Sequence, residues 1–198
     1  MLRIGLTGGI ASGKTAVSDR LARLGASVID TDLLSRELVE PGQPALHEIE
    51  QAFGPDVIGR DGHLDRRALR DKVFANPAER RRLEAILHPR IRALMLERAA
   101  RSPGPYVVFV IPLLAETGQA SLVDRVLLVD VPEAVQRQRL QARDGIDPAQ
   151  VERMLGAQAE RTQRHRLADD IIENSGTLSE LDAAVQKLHL RYLDLAAG

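Results

Sequence analysis

The stretch "LTGGIASGKTAV", Leu6 to Val17, decides how the rest of the chain is read. It holds the pattern Gly8-x-x-x-x-Gly13-Lys14-Thr15, directly after the apolar run "LRIGL". Val17, Leu21 and Leu24 follow at helical spacing, with Gly25 as a stop. Clustered glycine inside regular structure costs about 0.5–1 kcal/mol per residue relative to alanine, so it needs a reason. A strand that enters a turn with inward-pointing N–H groups, backed by the positive end of a helix, supplies one: it cradles phosphate. A triphosphate fits such a concavity. Lys14 would reach the β and γ phosphates as a compact charge, and the Thr15 hydroxyl would take one ligand position on Mg²⁺. The plainer alternative is a glycine-rich turn that merely joins strand to helix.

Working outward, the 198 residues suit one domain with insertions, and 44% apolar content is enough for a substantial core. A net charge of −1 gives no general attraction to nucleic acid or to an anionic membrane. The one dense basic run, "ERRRLE" from Glu79 to Glu84, reads as a solvated helix face. Aromatics are 3% with no Trp, which speaks against base-stacking platforms. There is no cysteine, so disulfides and thiolate metal sites are excluded. No apolar stretch reaches the roughly 20 residues of a membrane span, and a cytoplasmic location is expected.

Short, near-continuous apolar runs recur at "LRIGL", "SVID", "YVVFVI", "RVLLVDV" and "DDIIEN", separated by helical patterns. That is how parallel strands buried on both faces look, so an α/β sheet with crossover helices is expected. Two segments interrupt the rhythm. From about residue 33 to 101 there is no strand-like run, only helical patterns, the last of them broken by Pro89. From about residue 141 to 166 comes Asp147-Pro148 as a helix start, then a polar helix dense in Arg and Gln.

Asp30 and Asp32 close the second run, and carboxyl ends of strands border the ligand crevice in open α/β sheets. If the second strand neighbours the first, these acids lie beside the phosphate loop. One of them could orient and deprotonate an acceptor hydroxyl; alternatively, Asp32 caps the helix "LLSREL". Arg137, Arg139 and Arg143 follow Pro132, and the last two share a helix face. They suit phosphoryl oxygens, or else form a solvated face pairing with Glu133 or Asp144. His88-Pro89 argues for a bend at a surface that substrate could touch. The chain has no Asn-Lys-x-Asp tetrapeptide, and the third run ends in Val110-Ile111-Pro112 without an acid. A small kinase therefore fits better than a guanine-specific switch or a motor-type ATPase. Nucleoside monophosphate kinases, sugar kinases and nucleotide-regulated binding modules share the loop.

The segments "GLTGGIASGKT", "VIDTDLLSRELVEPG", "FGPDVIGRDGHLDRRAL", "VFANP", "LEAILHPRIR", "IPLLAE", "RQRLQARDG" and "ADDIIENSG" together resemble the dephospho-coenzyme A kinases, from Leu2 to about Leu190. The resemblance implies a P-loop kinase core with a five-stranded parallel sheet flanked by helices, at about 1–32, 102–139 and 167–198. It also implies a helical insertion that binds coenzyme A at about 33–101 and a lid at about 140–166. The implied reaction moves the ATP γ-phosphoryl group, with Mg²⁺, to the ribose 3′-hydroxyl of dephospho-coenzyme A. By position, Asp32 matches the general base. Ala11, Ser12, Gly13, Lys14, Thr15 and Ala16 match the ATP phosphate loop opened by Gly8 and Gly9. Arg139 and Arg143 match lid-side arginines near the phosphates, and Asn174 matches an Asn beside the adenine. Arg36, His88, Pro112, Leu113 and Leu114 fall where the acceptor is bordered. Val110 and Ala115 depart from the family's common acid and phenylalanine.

Overall fold

The five apolar runs form the five strands of one sheet: β1 (Leu2–Gly8), β2 (Ser27–Asp30), β3 (Tyr106–Val110), β4 (Arg125–Asp130) and β5 (Asp170–Glu173). This computed structural model describes residues 1–74 and 76–198; Ala75, within "VFANP", lies outside the described residues. Helices α1 (Lys14–Arg23), α6 (Leu114–Thr117), α7 (Glu133–Asp144), α8 (Pro148–Gly156), α9 (Arg161–Leu167) and α10 (Leu178–Ala197) alternate with the strands. Helices α2 (Thr31–Glu37), α3 (Pro44–Phe53), α4 (Arg66–Phe74) and α5 (Pro77–Ala100) follow β2. The chain divides into two compact units, residues 1–29 with 102–198, and residues 30–101.

Within the sheet the order is β2-β3-β1-β4-β5, with β1 parallel to β3 and β4, and β4 parallel to β5. All five residues of β3 are buried, so both faces of the sheet are covered there and that run is continuous rather than alternating. On one face Val17 and Leu21 of α1 and Leu181, Val185 and Tyr192 of α10 pack into the same cluster as Ile4, Leu6, Val108 and Leu127.

The order corrects one expectation, because β3 stands between β1 and β2 and so β2 does not neighbour the first strand. It also locates the crevice. After β1 the chain goes to β2 on one side, and after β3 it goes to β4 on the other. The adjacent strands β3 and β1 thus send their connections in opposite directions, and ligands of open α/β sheets bind beyond the carboxyl ends of such a pair. The loop from Gly8 to Lys14 leaves β1 at that point. Ile111 donates its N–H to Leu6, and the Thr7 hydroxyl donates to Pro112 at 3.4 Å, so the segment after β3 is tied alongside.

The second unit has its own core of Val39, Leu46, Ile49, Phe53, Val57 and Leu69, onto which Leu83, Ile86 and Leu87 of α5 pack. Pro89 does not break α5, which runs for 24 residues through it. Proline removes one N–H and crowds the carbonyl four residues earlier. Here Arg90 donates its guanidinium to the carbonyl of Ile86 at 2.6 Å and pairs with Glu48 of α3, which fastens the helix beside the proline. In the first unit, α7 continues unbroken past residue 140 to Asp144, and α8 starts where Asp147 accepts from the N–H of Gln150 with Pro148 in the first turn.

Candidate functional site

The loop after β1 is shaped by its own backbone and by side chains that come from far along the chain. Gly13 has φ 94°, a left-handed conformation, and a Cβ there would lie 2.2 Å from Asn174 Nδ2. Glycine is therefore required twice over at that position. Ala11 is also left-handed, at φ 56°. The first intrahelical bond of α1 runs from the Val17 N–H to Gly13, and no side chain caps the helix. The N–H groups of its first turn, which have no carbonyl to meet inside the helix, form a positive end of the kind that suits a phosphate.

The loop carbonyls are taken up from behind. Ile10 accepts from Gln136 Nε2 at 2.7 Å, and Ser12 accepts from Asn174 Nδ2 at 2.8 Å. Arg139 Nη1 lies 3.4 Å from the Ala11 oxygen and 3.5 Å from that of Ser12, while Nη2 donates to the Asn174 carbonyl at 2.7 Å. Lys14 Nζ donates to the carbonyls of Gly8 and Gly9 at 2.7 and 3.1 Å, which holds its charge over the start of the loop. Among the described residues, the buried Ser12 Oγ has no hydrogen-bond partner. The Thr15 side chain is exposed in the first turn of α1.

The three arginines of α7 part company. Arg137 pairs with Glu133 and Glu152, and Arg143 pairs with Asp144 while staying 60% exposed. These are the solvated pairings the sequence allowed for. Arg139 is the one of the three built into the phosphate loop. The region after α7 contributes more than the arginines singled out from sequence. Buried Asp130, at the carboxyl end of β4, receives Arg161 at 2.6 Å, and His165 Nε2 lies 3.0 Å away. Burial alone would push the Asp130 carboxyl up; Arg161 and His165 beside it more than offset this and hold it below the usual carboxylate range. Arg164, 7% exposed, donates to the Ala159 carbonyl. A cavity of about 360 Å³ lies between α7 and the α8–α9 segment, lined in part by Gln136, Gln158, Arg161 and Arg164.

None of Asp130, Gln136, Gln158, Arg161 or Arg164 was singled out in the sequence. An acid closing the buried run "RVLLVD" was a usable signal for Asp130. The glutamines carry no such signal, since an amide on a polar helix is unremarkable until its partner is known.

Of the remaining positions, Leu114 is fully buried, and a Cβ added at Gly5 would meet it at 2.9 Å, so it is a core residue under β1. Leu113 is 46% exposed. In the second unit, the cap of α2 is Asp30 and not Asp32: Asp30 Oδ1 accepts from the N–H groups of Asp32 and Leu33 at 2.8 and 3.3 Å. The helix begins at Thr31, so Asp32 falls in its first turn, exposed, as are Arg36 on the same helix and His88 on α5. A cavity of about 260 Å³ in this unit is lined by Val39, Leu64, Leu69 and Leu83, with Arg66 and Arg70 at its edge. Those two arginines stand one turn apart on α4.

Comparison with known proteins adds the following. A family model described as dephospho-CoA kinase matches residues 2–180. The chain is similar to a dephospho-CoA kinase of Thiobacillus denitrificans, 52% identical over 199 residues and covering 100% of this chain and 98% of that one. A dephospho-CoA kinase of Methylococcus capsulatus is 45% identical over 198 residues, with 100% of both chains covered. Among solved structures, TT1252 from Thermus thermophilus superposes with a TM-score of 0.87 at 34% identity, over 97% of each chain.

Proposed function

Because this chain belongs to the dephospho-CoA kinase family, we propose that it transfers the γ-phosphoryl group of ATP to the ribose 3′-hydroxyl of dephospho-coenzyme A, giving coenzyme A and ADP in the last step of coenzyme A synthesis. The observation that carries the reading is the uncapped N-terminus of α1, with Lys14 beside it, at the point where β3 and β1 diverge. In the reaction the 3′-oxygen bonds to the γ phosphorus, the bond from that phosphorus to the β–γ bridging oxygen breaks, and ADP leaves. The proton of the hydroxyl goes to a base.

We assign the base to Asp32. Asp32 matches the family's acid by position and is an exposed carboxylate in the first turn of α2, able to take up the hydroxyl proton. Lys14 and Arg139 oppose the charge of the phosphates, Arg139 from within the loop framework, and Arg143 is the clamp from the end of α7. Asn174, whose side-chain amide bonds the loop at Ser12, is proposed to stand beside the adenine. Thr15 fits Mg²⁺ as a single hard oxygen donor in the first turn of α1, the ion taking its other ligands from phosphate and water. When bound, the ion would offset negative charge on the β and γ phosphates. Arg36, His88, Pro112 and Leu113 are proposed to border the acceptor. The cavity edged by Arg66 and Arg70 suits an acceptor that carries both a diphosphate and an apolar arm. A cytoplasmic location accords with the absence, among the described residues, of a helix long and apolar enough to cross a membrane.

Incubation with ATP, Mg²⁺ and a panel of acceptors, followed by ADP release, tests the assignment. Dephospho-coenzyme A should give the fastest release. ADP formed fastest with AMP or gluconate would overturn it in favour of a nucleotide or sugar kinase, and ADP release independent of every acceptor would favour a nucleotide-regulated binding module.

A further inference from the structure

The two peptide planes that meet at Ile10, in the middle of the phosphate loop, are each gripped by a side chain. The Ile10 N–H donates to Gln158 Oε1 at 2.8 Å, and its carbonyl accepts from Gln136 Nε2 at 2.7 Å. The two amides are fixed in opposite senses, because a backbone N–H can only donate and a carbonyl can only accept. Gln136 is 1% exposed, and a Cβ at Gly9 would lie 2.2 Å from its Nε2. The glycine at position 9 thus makes room for a side chain of α7. Gln158 comes from the segment between α8 and α9, and the next residue, Ala159, is itself tied down by donating its N–H to Glu116 at 2.8 Å.

We infer that Gln136 and Gln158 are positioning residues that set the shape of the phosphate loop by holding the two peptide planes that meet at Ile10. A loop that binds phosphate through backbone N–H groups depends on the rotation of each peptide plane. Rotating the Ile10–Ala11 plane moves Ala11, already left-handed, and with it the entry to Gly13. One amide on each plane holds the backbone of Ile10 in a single conformation before any ligand arrives. One of the two sits on the lid segment, so the loop is also the place where the position of that segment is felt.

The inference rests on the phosphate-loop reading above. It is tested by ATP affinity, titrated without acceptor, in the same substitution at the two positions. In Gln136→Glu the donor is lost and a carboxylate faces the Ile10 carbonyl. In Gln158→Glu an acceptor for the Ile10 N–H is kept. Both add one negative charge beside the backbone of the same residue, Ile10, so charge alone predicts similar effects. The expected result is an ATP dissociation constant raised about tenfold or more by Gln136→Glu. Gln158→Leu should raise it severalfold, with Gln158→Glu restoring most of that loss. The KM for dephospho-coenzyme A should move far less than the KM for ATP. If Gln136→Glu does not fold, Gln136→Leu, of similar size, replaces it with the same expectation. Equal weakening by the two glutamate variants would overturn the inference, as would unchanged ATP affinity in both Gln136→Leu and Gln158→Leu. Wild-type protein that fails to bind ATP would instead overturn the phosphate-loop reading itself.

Discussion

Asp30 and Asp32 are two residues apart and chemically identical, yet the structure gives them different tasks. Asp30 caps α2 through one carboxylate oxygen, so Asp30→Ala should lower stability by about 0.5–2 kcal/mol in a denaturant melt, whereas Asp30→Asn, which keeps an acceptor oxygen, should lose much less. Asp32 carries no such duty in the helix, and the proposal makes it the base. Asn at position 32 has nearly the same shape but cannot take a proton. Asp32→Asn should therefore melt within a few degrees of wild type, bind ATP, and lose on the order of 10²–10⁴-fold in turnover. Near-normal steady-state turnover would remove Asp32 from the mechanism. The sequence made both residues candidates because an acid at the end of a strand reads equally well as cap or as base. Which residue caps was decided by where the helix begins, a matter of one or two residues that composition does not fix.

At the scale of elements, α7 illustrates how helical spacing can mislead. Arg139 and Arg143 share a face by the i, i+4 rule, but the first reaches the loop carbonyls and the second ends on Asp144 at the last turn. The two should fail differently. Arg139→Ala removes a charged donor from the framework of the loop and should weaken ATP binding about tenfold or more. Arg143→Ala removes only a partly exposed pair, so ATP affinity should stay near wild type while turnover falls on the order of 10²-fold if the clamp is as proposed. Separate titration and single-turnover measurements distinguish the cases, and unaltered turnover in Arg143→Ala would return that arginine to the solvated face. Helix α5 makes the same point about proline. The sequence marks Pro89 as a break, yet α5 runs through it, with Arg90 bonding the Ile86 carbonyl and reaching across to Glu48.

For the molecule as a whole, Asp130 joins the core strand β4 to α9, so its ionisation links pH to the packing of α9 against the sheet. Its carboxyl is held below the usual range in the folded chain, while in the unfolded chain it titrates at about 3.9. A depressed carboxyl contributes stability that is fully present above the unfolded value and is lost as pH falls through the folded one. The melting temperature of wild type should therefore drop more steeply between about pH 5 and pH 3 than that of Asp130→Asn, which has no such proton to take up. Parallel pH profiles for the two proteins would refute the link. What the sequence determined by itself was the phosphate loop, the α/β class and the five strands, because these are local properties: a handful of neighbouring residues sets the turn, the helix start and the burial pattern. Tertiary structure decided the rest. It inserted β3 between β1 and β2, gave the cap of α2 to Asp30, and brought Gln136, Gln158 and Asn174 to a loop lying 126, 148 and 162 residues away in the chain. An amide 126 residues from its partner acquires that partner only when the strands between them have paired, and nothing in its own neighbourhood announces the choice.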